Sequence, residues 1–375
     1  MKPLRMSAML VVLTLLPSCT RAGRVADEPA LVGSQVIGSH NSYKLGVQPQ
    51  LLDLMNAAGR RGEGVDYSHL SLVDQLNLGL RSLELDVCHD PRGGRYADPL
   101  GNRLLKLAGI EPWPLPDPGA MSTPGFKLIH EPDFDFRSSP ARFEDATAML
   151  RAWSSKRPGH TAIVVTMNCK QGSTGLPGAT SAPAFDATTL HDLDRVILAG
   201  LGRDRLVVPD DVRGAASTLR GAVLAKGWSR ADSRGKFIFV LDEGAALREQ
   251  YLAAFPDLRG ATFFTTVPPP DDLAAFLVIN DPVKDEATIR ERVREGYMVR
   301  TRADADTAEA RINDRRRFEA AMRSGAHVIS TDYYIPDRKR DERFVVRFAD
   351  GSFNRPNPVR ASRPRDEAPH GEGGG

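Results

Sequence analysis

Leu80-Arg81-Ser82-Leu83-Glu84-Leu85-Asp86-Val87 reads as a strand buried among apolar neighbours, yet it carries two carboxylates near its end. Alternate residues of a strand face opposite ways, so Glu84 and Asp86 share one face while Leu83, Leu85 and Val87 share the other. Two like charges on one buried face repel unless a cation lies between them. Oxygen-only donors suit Ca²⁺ or Mg²⁺.

Seven further runs have this strand character: 35–40, 126–130, 161–168, 236–242, 275–280, 297–302 and 327–332. Helical patterns intervene, notably 143–154 and 305–323, the latter with Asp306 or Thr307 as its expected cap. Strands alternating with helices imply a parallel sheet, and eight such units predict a closed α/β (β/α)₈ TIM barrel. Each run ends in polar residues. In order these are His40 and Asn41, Glu84 and Asp86, His130 and Glu131, Asn168 and Lys170, Asp242, Asn280 and Asp281, Arg300 and Arg302, Asp332 and Tyr333. Active sites of such barrels lie at the C-terminal strand ends. Any one of these residues alone is more simply a cap or a surface charge; together on one rim they point to chemistry. His40 and His130, ending the first and third runs, would face one another across the bore as an acid–base pair. His69, His160, His191 and His370 read as ordinary hydrogen-bonded side chains, and His89 alone stands close enough to the rim to reconsider.

Composition is that of a globular chain: 41% hydrophobic and 26% charged, which excludes wholesale disorder. Lys plus Arg numbers 50 against 48 for Asp plus Glu, and a net charge of +2 gives no field for a nucleic-acid partner. Lys2 and Arg5 precede a short apolar run, 9–16, and then Pro17-Ser18-Cys19. This predicts an export signal over 1–19, too short to span a bilayer. Leu16-Pro17-Ser18-Cys19 resembles the lipobox of bacterial lipoproteins, which implies lipidation at Cys19 and a membrane-anchored, exported protein. Plain secretion is the alternative. Residues 20–30 read as a linker, 31–359 as the barrel domain and 360–375 as a disordered tail. Export would permit a disulfide, but Cys88 and Cys169 are expected to stay unpaired. Their side chains have opposite parity, and their strands, second and fourth in the count, should not be neighbours. The segment 90–125 is expected either to pack over the barrel or to form a rim loop touching membrane, with Leu104, Leu105, Leu107, Ile110, Trp113 and Leu115 as its apolar content. The insertion 171–187 reads as a lid or a loop.

Several separate boxes carry a resemblance. Gly38-Ser39-His40-Asn41-Ser42-Tyr43 and Leu83-Glu84-Leu85-Asp86 are similar to the catalytic and metal boxes of calcium-dependent phosphoinositide-specific phospholipases C. His130-Glu131-Pro132-Asp133, the stretch from Val299 to Thr307, and Ser330-Thr331-Asp332-Tyr333 resemble the bacterial and fungal branch of that family. The resemblance implies that His40 stabilises the pentacovalent phosphorane and shares acid–base work, and that His130 protonates the leaving diacylglycerol oxygen. It implies that Asn41, Glu84 and Asp86 hold Ca²⁺, and that the inositol 2-hydroxyl attacks phosphorus to give a cyclic inositol phosphate. Lys170 and Arg300 would contact the inositol or its phosphates, Asp332 would lie among the substrate-binding groups, and Tyr333 would stack on the sugar. The implied partners are a phospholipid or inositol-phosphate substrate and the membrane surface.

One position departs from the family pattern. Where the fourth run should supply a glutamate ligand, this chain reads Asn168-Cys169-Lys170. The amide oxygen of Asn168 can still ligate, but one negative charge is lost; weaker Ca²⁺ binding is expected, or compensation by another carboxylate such as Glu131 or Asp332. Two other functions fit parts of the pattern: a glycerophosphodiester phosphodiesterase, and a non-catalytic barrel that binds an inositol phosphate or glycan. Phosphodiester transfer on a sphingolipid head group is a third, by analogy of fold alone.

Overall fold

The computed structural model describes residues 30–228 and 233–360. The expected export signal, Cys19 and nearly all of the expected linker and tail lie outside the described residues.

Ten strands form among the described residues: β1 Ser34–Ser39, β2 Ser82–Asp90, β3 Gly125–Leu128, β4 Ile163–Lys170, β5 Phe237–Leu241, β6 Phe263–Thr265, β7 Phe276–Val278, β8 Met298–Arg302, β9 Val328–Thr331 and β10 Asn354–Pro356. They lie in two five-stranded halves, β10-β1-β9-β8-β7 and β3-β2-β4-β5-β6. The halves close on one another at both edges. A parallel bridge links Thr266 to Phe276 across β6 and β7. Between β1 and β2, Arg81 N–H donates to Ile37 O at 3.1 Å and Ser42 N–H to Glu84 O at 2.9 Å. The result is a ring of eight parallel strands, β1, β2, β4, β5, β6, β7, β8 and β9, with β3 and β10 added antiparallel outside it. The expected (β/α)₈ barrel is therefore present.

Its strands are continuous apolar runs because parallel strands are covered on both faces. Phe237–Leu241 is buried at every position, and so is Phe263–Thr265. The β1–β2 seam is close-packed. A Cβ added at Gly38 would lie 2.4 Å from Cβ of Ser82, so only glycine lets these two strands approach.

Two corrections concern the strand count. The run 126–130 is no ring strand; its ordered part, β3, pairs antiparallel with the overlong end of β2, Val87 opposite Leu128 and Asp90 opposite Gly125. The ring position it was expected to fill is supplied by β6, from Thr262-Phe263-Phe264-Thr265-Thr266, a short β-rich run that the eight-strand count passed over. Hence β2 and β4 are direct neighbours, with Val87 opposite Cys169 and Cys88 opposite Lys170. The expectation that the cysteine strands lie apart fails, but opposite parity keeps the thiols unpaired, and both are free and buried.

The helix expected over 143–154 forms as Phe143–Ser155. The one expected over 305–323 is broken into Ala308–Ile312 and Arg316–Ser324, with Asn313 left-handed between them. Thr307 does not cap with its side chain; its hydroxyl donates to Glu63 O at 2.9 Å, because Thr307 is itself left-handed. Within 90–125, Leu105 is fully buried, and Leu104, Ile110 and Leu115 pack against the same cluster. Leu107 is 84% exposed, and Trp113 lies 5.1 Å from the Arg137 guanidinium. Most of this segment therefore packs over the barrel. The insertion 171–187 is pinned by Thr180 N–H donating to Asp133 Oδ2 at 2.9 Å and by the buried Phe185. No helix among the described residues is long and apolar enough to cross a membrane.

Candidate active site

After β1 ends at Ser39, the chain turns through Asn41, whose φ of 46° is left-handed and tolerated by asparagine. Small polar contacts lock this turn. Ser39 Oγ lies 2.6 Å from Ser42 Oγ, Gln75 Nε2 donates to Ser42 O at 2.7 Å, and Glu84 N–H donates to Ser42 Oγ at 2.8 Å. His40 and Asn41 are thereby held over Glu84.

β1 has now left the edge of β2 open, and β3 takes its place. Ile129 N–H donates to Asp86 O at 3.3 Å, so β3 runs down the edge and delivers His130 to the rim beside Asp86. His130 thus reaches the site on an antiparallel strand hung from the long end of β2, not across the bore as the third strand of a ring.

Each histidine is held by a carboxylate. His40 Nδ1 lies 2.9 Å from Asp332 Oδ1, and His130 Nδ1 lies 2.9 Å from Asp135 Oδ2. Asp135 is fully buried, and its second oxygen lies 3.1 Å from Nζ of Lys44, a lysine 1% exposed that also donates to the carbonyls of Val65 and Tyr67. The backbone at the buried Asp332 is anchored to Asp304, which accepts from the Thr331 hydroxyl and from Asp332 N–H. Burial pushes Asp304 up to about 7 and Asp332 up to about 6, each raised further by a neighbouring carboxylate. His69 donates through Nε2 to His40 O at 2.7 Å and stacks on Tyr334; burial lowers it to about 4, so it is a neutral strut.

The two catalytic candidates are driven in opposite directions. Burial and the Arg302 guanidinium hold His40 well below the ordinary histidine value. Burial also opposes charge on His130, but the hydrogen bond and field of Asp135 outweigh it and raise its pKa. Environments that split two titrating groups distinguish acid from base: burial disfavours the charged form of His40, and Asp135 favours the charged form of His130.

Between them stand Glu84 and Asp86, buried on the shared face that parity requires. Glu84 Oε1 lies 3.4 Å from His40 Nε2, while Oε2 accepts from Arg300. Burial disfavours the Glu84 carboxylate, but His40 and Arg300 outweigh it and hold its pKa below the ordinary value. Asp86 Oδ2 lies 3.0 Å from Lys170 Nζ. Asp86 Oδ1 and Asn41 Oδ1 are buried with no hydrogen-bond partner, while Asn41 Nδ2 donates to Tyr67 OH at 2.8 Å. Buried oxygens without donors are costly unless something absent from the polypeptide satisfies them, and an amide oxygen with two carboxylates is a Ca²⁺ donor set. The residues present fit the ion. Among the described residues no group of three or more His, Cys, Asp or Glu side chains could hold a metal ion by itself, so a set built on Glu84 and Asp86 would need the amide of Asn41.

The remaining expected residues are placed as follows. Asn168 Nδ2 donates to Asp242 O, which leaves its Oδ1 as the free end of the amide. Glu131 Oε2 is engaged by Arg60 at 2.7 Å and Asp332 Oδ1 by His40 at 2.9 Å, while the other oxygen of each is buried without a hydrogen-bond partner. Asp242 and Glu243, just past β5, also share the field of Asp86. Arg300 is 3% exposed and has three acceptors: Glu84, Asn280 Oδ1 at 2.8 Å and Ser330 Oγ at 3.2 Å. Its guanidinium is held against Glu84. Asp332 is likewise buried and holds His40 through Oδ1. Tyr333 is 1% exposed and packs edge-on against Phe344, which leaves its ring no open face for stacking. Sequence reasoning passed over Asp135, Lys44, Tyr67 and Glu243. Asp135 lies five residues beyond His130 in His130-Glu131-Pro132-Asp133-Phe134-Asp135, and the tight bridge between Glu131 and Asp135 folds it back onto the imidazole.

The family model described as Phosphoinositide phospholipase C, Ca2+-dependent, matches residues 31–358. No curated protein matches the sequence. Among solved structures, a calcium-dependent phosphoinositol-specific phospholipase C from a Gram-negative bacterium, Pseudomonas sp., has 17% identity and a TM-score of 0.50, over 88% of this chain and 96% of that one. A Ca²⁺-dependent phosphatidylinositol-specific phospholipase C from Streptomyces antibioticus has 19% identity and a TM-score of 0.49, over 82% and 96%. A glycerophosphoryl diester phosphodiesterase from Parabacteroides distasonis has 11% identity and a TM-score of 0.31, over 88% and 94%. At 17% identity the likeness to the Pseudomonas enzyme speaks to fold alone, and the family rests on the match of the family model across residues 31–358. The chain belongs to the Ca²⁺-dependent phosphoinositide phospholipase C family of phosphodiester-cleaving enzymes.

Proposed function

We propose that this protein cleaves phosphatidylinositol-type lipids by attack of the inositol 2-hydroxyl on phosphorus, with His40 and His130 dividing the proton transfers. The observation that carries this reading is the pair of histidine–carboxylate contacts, each 2.9 Å, set on either side of Glu84 and Asp86 with opposite pKa shifts. A protonated His130 gives its proton to the diacylglycerol oxygen as the P–O bond breaks. Asp135 holds the proton on Nδ1 and supports the imidazolium, and Lys44 keeps Asp135 ionised. His40, kept neutral and hydrogen-bonded to Asp332, leaves Nε2 to face the reacting phosphoryl group and to take part in removing the hydroxyl proton. Asn41, Glu84 and Asp86 would hold Ca²⁺, with the amide oxygen of Asn168 nearby. When bound, that ion polarises a phosphoryl oxygen and acidifies the attacking hydroxyl. Lys170, 31% exposed, keeps one side of its ammonium open toward the inositol.

Residues 31–359 would form the catalytic domain. Export, with lipidation at Cys19 or free secretion, would bring the site to a lipid surface; fractionation of Cys19→Ala against the parent separates the two routes. The activity itself is tested on phosphatidylinositol vesicles with Ca²⁺ and with chelator, beside His40→Ala and His130→Ala. Release of a cyclic inositol phosphate that requires the ion and both histidines supports the reading. Turnover of glycerophosphodiesters without an inositol requirement would replace it with the phosphodiesterase alternative.

A further inference from the structure

Arg300 and Arg302 share a face of β8, and Arg302 stands two residues nearer the rim. Their surroundings differ sharply. Arg300 is spent on three acceptors below the site. Arg302 is 14% exposed, its Nε is buried without a hydrogen-bond partner, and its nearest acceptors are distant: His40 Nδ1 at 3.3 Å and Asp332 Oδ2 at 3.6 Å. A guanidinium has five donors and cannot shed its proton, so this one is under-used.

The contact with His40 is also one that the working enzyme cannot keep. Arg302 can only donate, so its bond to Nδ1 requires that nitrogen to be an acceptor. The 2.9 Å contact to the ionised Asp332 requires the same nitrogen to be a donor. Both cannot hold at once. A histidine whose Nε2 is free to take a proton carries its hydrogen on Nδ1, toward Asp332, and in that tautomer Arg302 loses its closest partner. Its free donors then lie at the rim, beside His40 and above Glu84, where a planar fork matches two oxygens of a tetrahedral oxyanion.

We propose that Arg302 is the residue that grips the phosphoryl group of the substrate, pairing with its non-bridging oxygens as negative charge builds there. This inference rests on the functional reading above for the phosphodiester, but not for the inositol. It adds a substrate contact that the sequence assigned to Arg300.

The test is binding, measured calorimetrically on the full chain for inositol 1-phosphate, myo-inositol and inorganic phosphate, in the parent, Arg302→Gln and Arg302→Lys. The expected result is a loss of about ten- to hundredfold for both phosphate-bearing probes in Arg302→Gln, a smaller loss in Arg302→Lys, and myo-inositol affinity unchanged. Ca²⁺ affinity should stay the same or rise in Arg302→Gln, since the lost positive charge is one whose field reaches Glu84. Unchanged phosphate affinity, with only turnover reduced, would make Arg302 a positioning residue for His40 and overturn the proposal. So would equal losses for myo-inositol and its phosphate. Should the parent bind phosphate through Arg302 yet no inositol compound, the inositol reading falls and the phosphoryl contact stands. Arg302→Lys keeps the buried charge and serves if Arg302→Gln does not fold.

Discussion

His130 and Asp135, five residues apart, are joined by a 2.9 Å contact between Nδ1 and a carboxylate that is itself fully buried against Lys44. This one pairing explains why a histidine that burial should keep neutral is instead raised. It links a local turn, a buried ion pair and the proposed acid in a single chain of cause.

Asp135→Asn removes the charge that raises His130. The imidazolium is active below the pKa of His130, so the alkaline limb of the kcat–pH profile should move to lower pH, and kcat at neutral pH should fall by about 10²-fold. A pH–rate profile checks this; a limb that stays in place or moves upward would contradict it.

A general acid matters most for a poor leaving group. His130→Ala should therefore cost about 10²–10⁴-fold on the lipid but far less on an aryl inositol phosphate, whose phenolate leaves unaided. Comparing kcat for the two substrates in parent and variant reads the difference directly; equal losses would remove His130 from leaving-group protonation.

Lys44→Met strands Asp135 in the core. Removing one partner of a buried ion pair costs about 3–5 kcal/mol, and a double variant with Asp135→Asn should recover part of it. Urea unfolding of the single and double variants measures the coupling. Additive losses would mean that Lys44 and Asp135 do not depend on one another.

Gly38→Ala puts a methyl group 2.4 Å from Ser82 Cβ at the β1–β2 seam. Overpacking there should cost about 1–3 kcal/mol and disturb His40 two residues on, lowering both the thermal midpoint and activity. A parent-like melting curve would show that the seam can open without penalty.

Asn168→Glu restores a carboxylate beside Asp86 but loses the amide donor to Asp242 O. Ca²⁺ affinity should rise, while unfolding stability should drop by about 1 kcal/mol. Calorimetry with Ca²⁺ and urea unfolding separate the two effects; unchanged or weaker Ca²⁺ affinity would mean that position 168 is not a ligand.

How much of this was legible beforehand depends on distance along the chain. The shared face of Glu84 and Asp86 follows from strand parity, and the barrel follows from alternation. The direction of β3 does not, because a strand's local pattern is the same whether it runs with or against its neighbour. That single ambiguity hid the β6 strand, separated β2 from β4 in the count and placed His130 across the bore. Side chains that act through others were equally hidden. Nothing in the sequence distinguishes Arg300, consumed by Glu84, from Arg302, and Lys44 meets Asp135 only after two loops fold together. Tyr333 was chosen as an aromatic at a strand end, a position that β9 places under Phe344 and not over the rim.

The most direct measurement is phosphatidylinositol cleavage by the signal-free protein, with Ca²⁺ and with chelator, with His40→Ala and His130→Ala alongside. The account requires Ca²⁺-dependent release of a cyclic inositol phosphate that disappears in both variants. Cleavage that survives loss of both histidines, or that yields no cyclic product at any time, would contradict it.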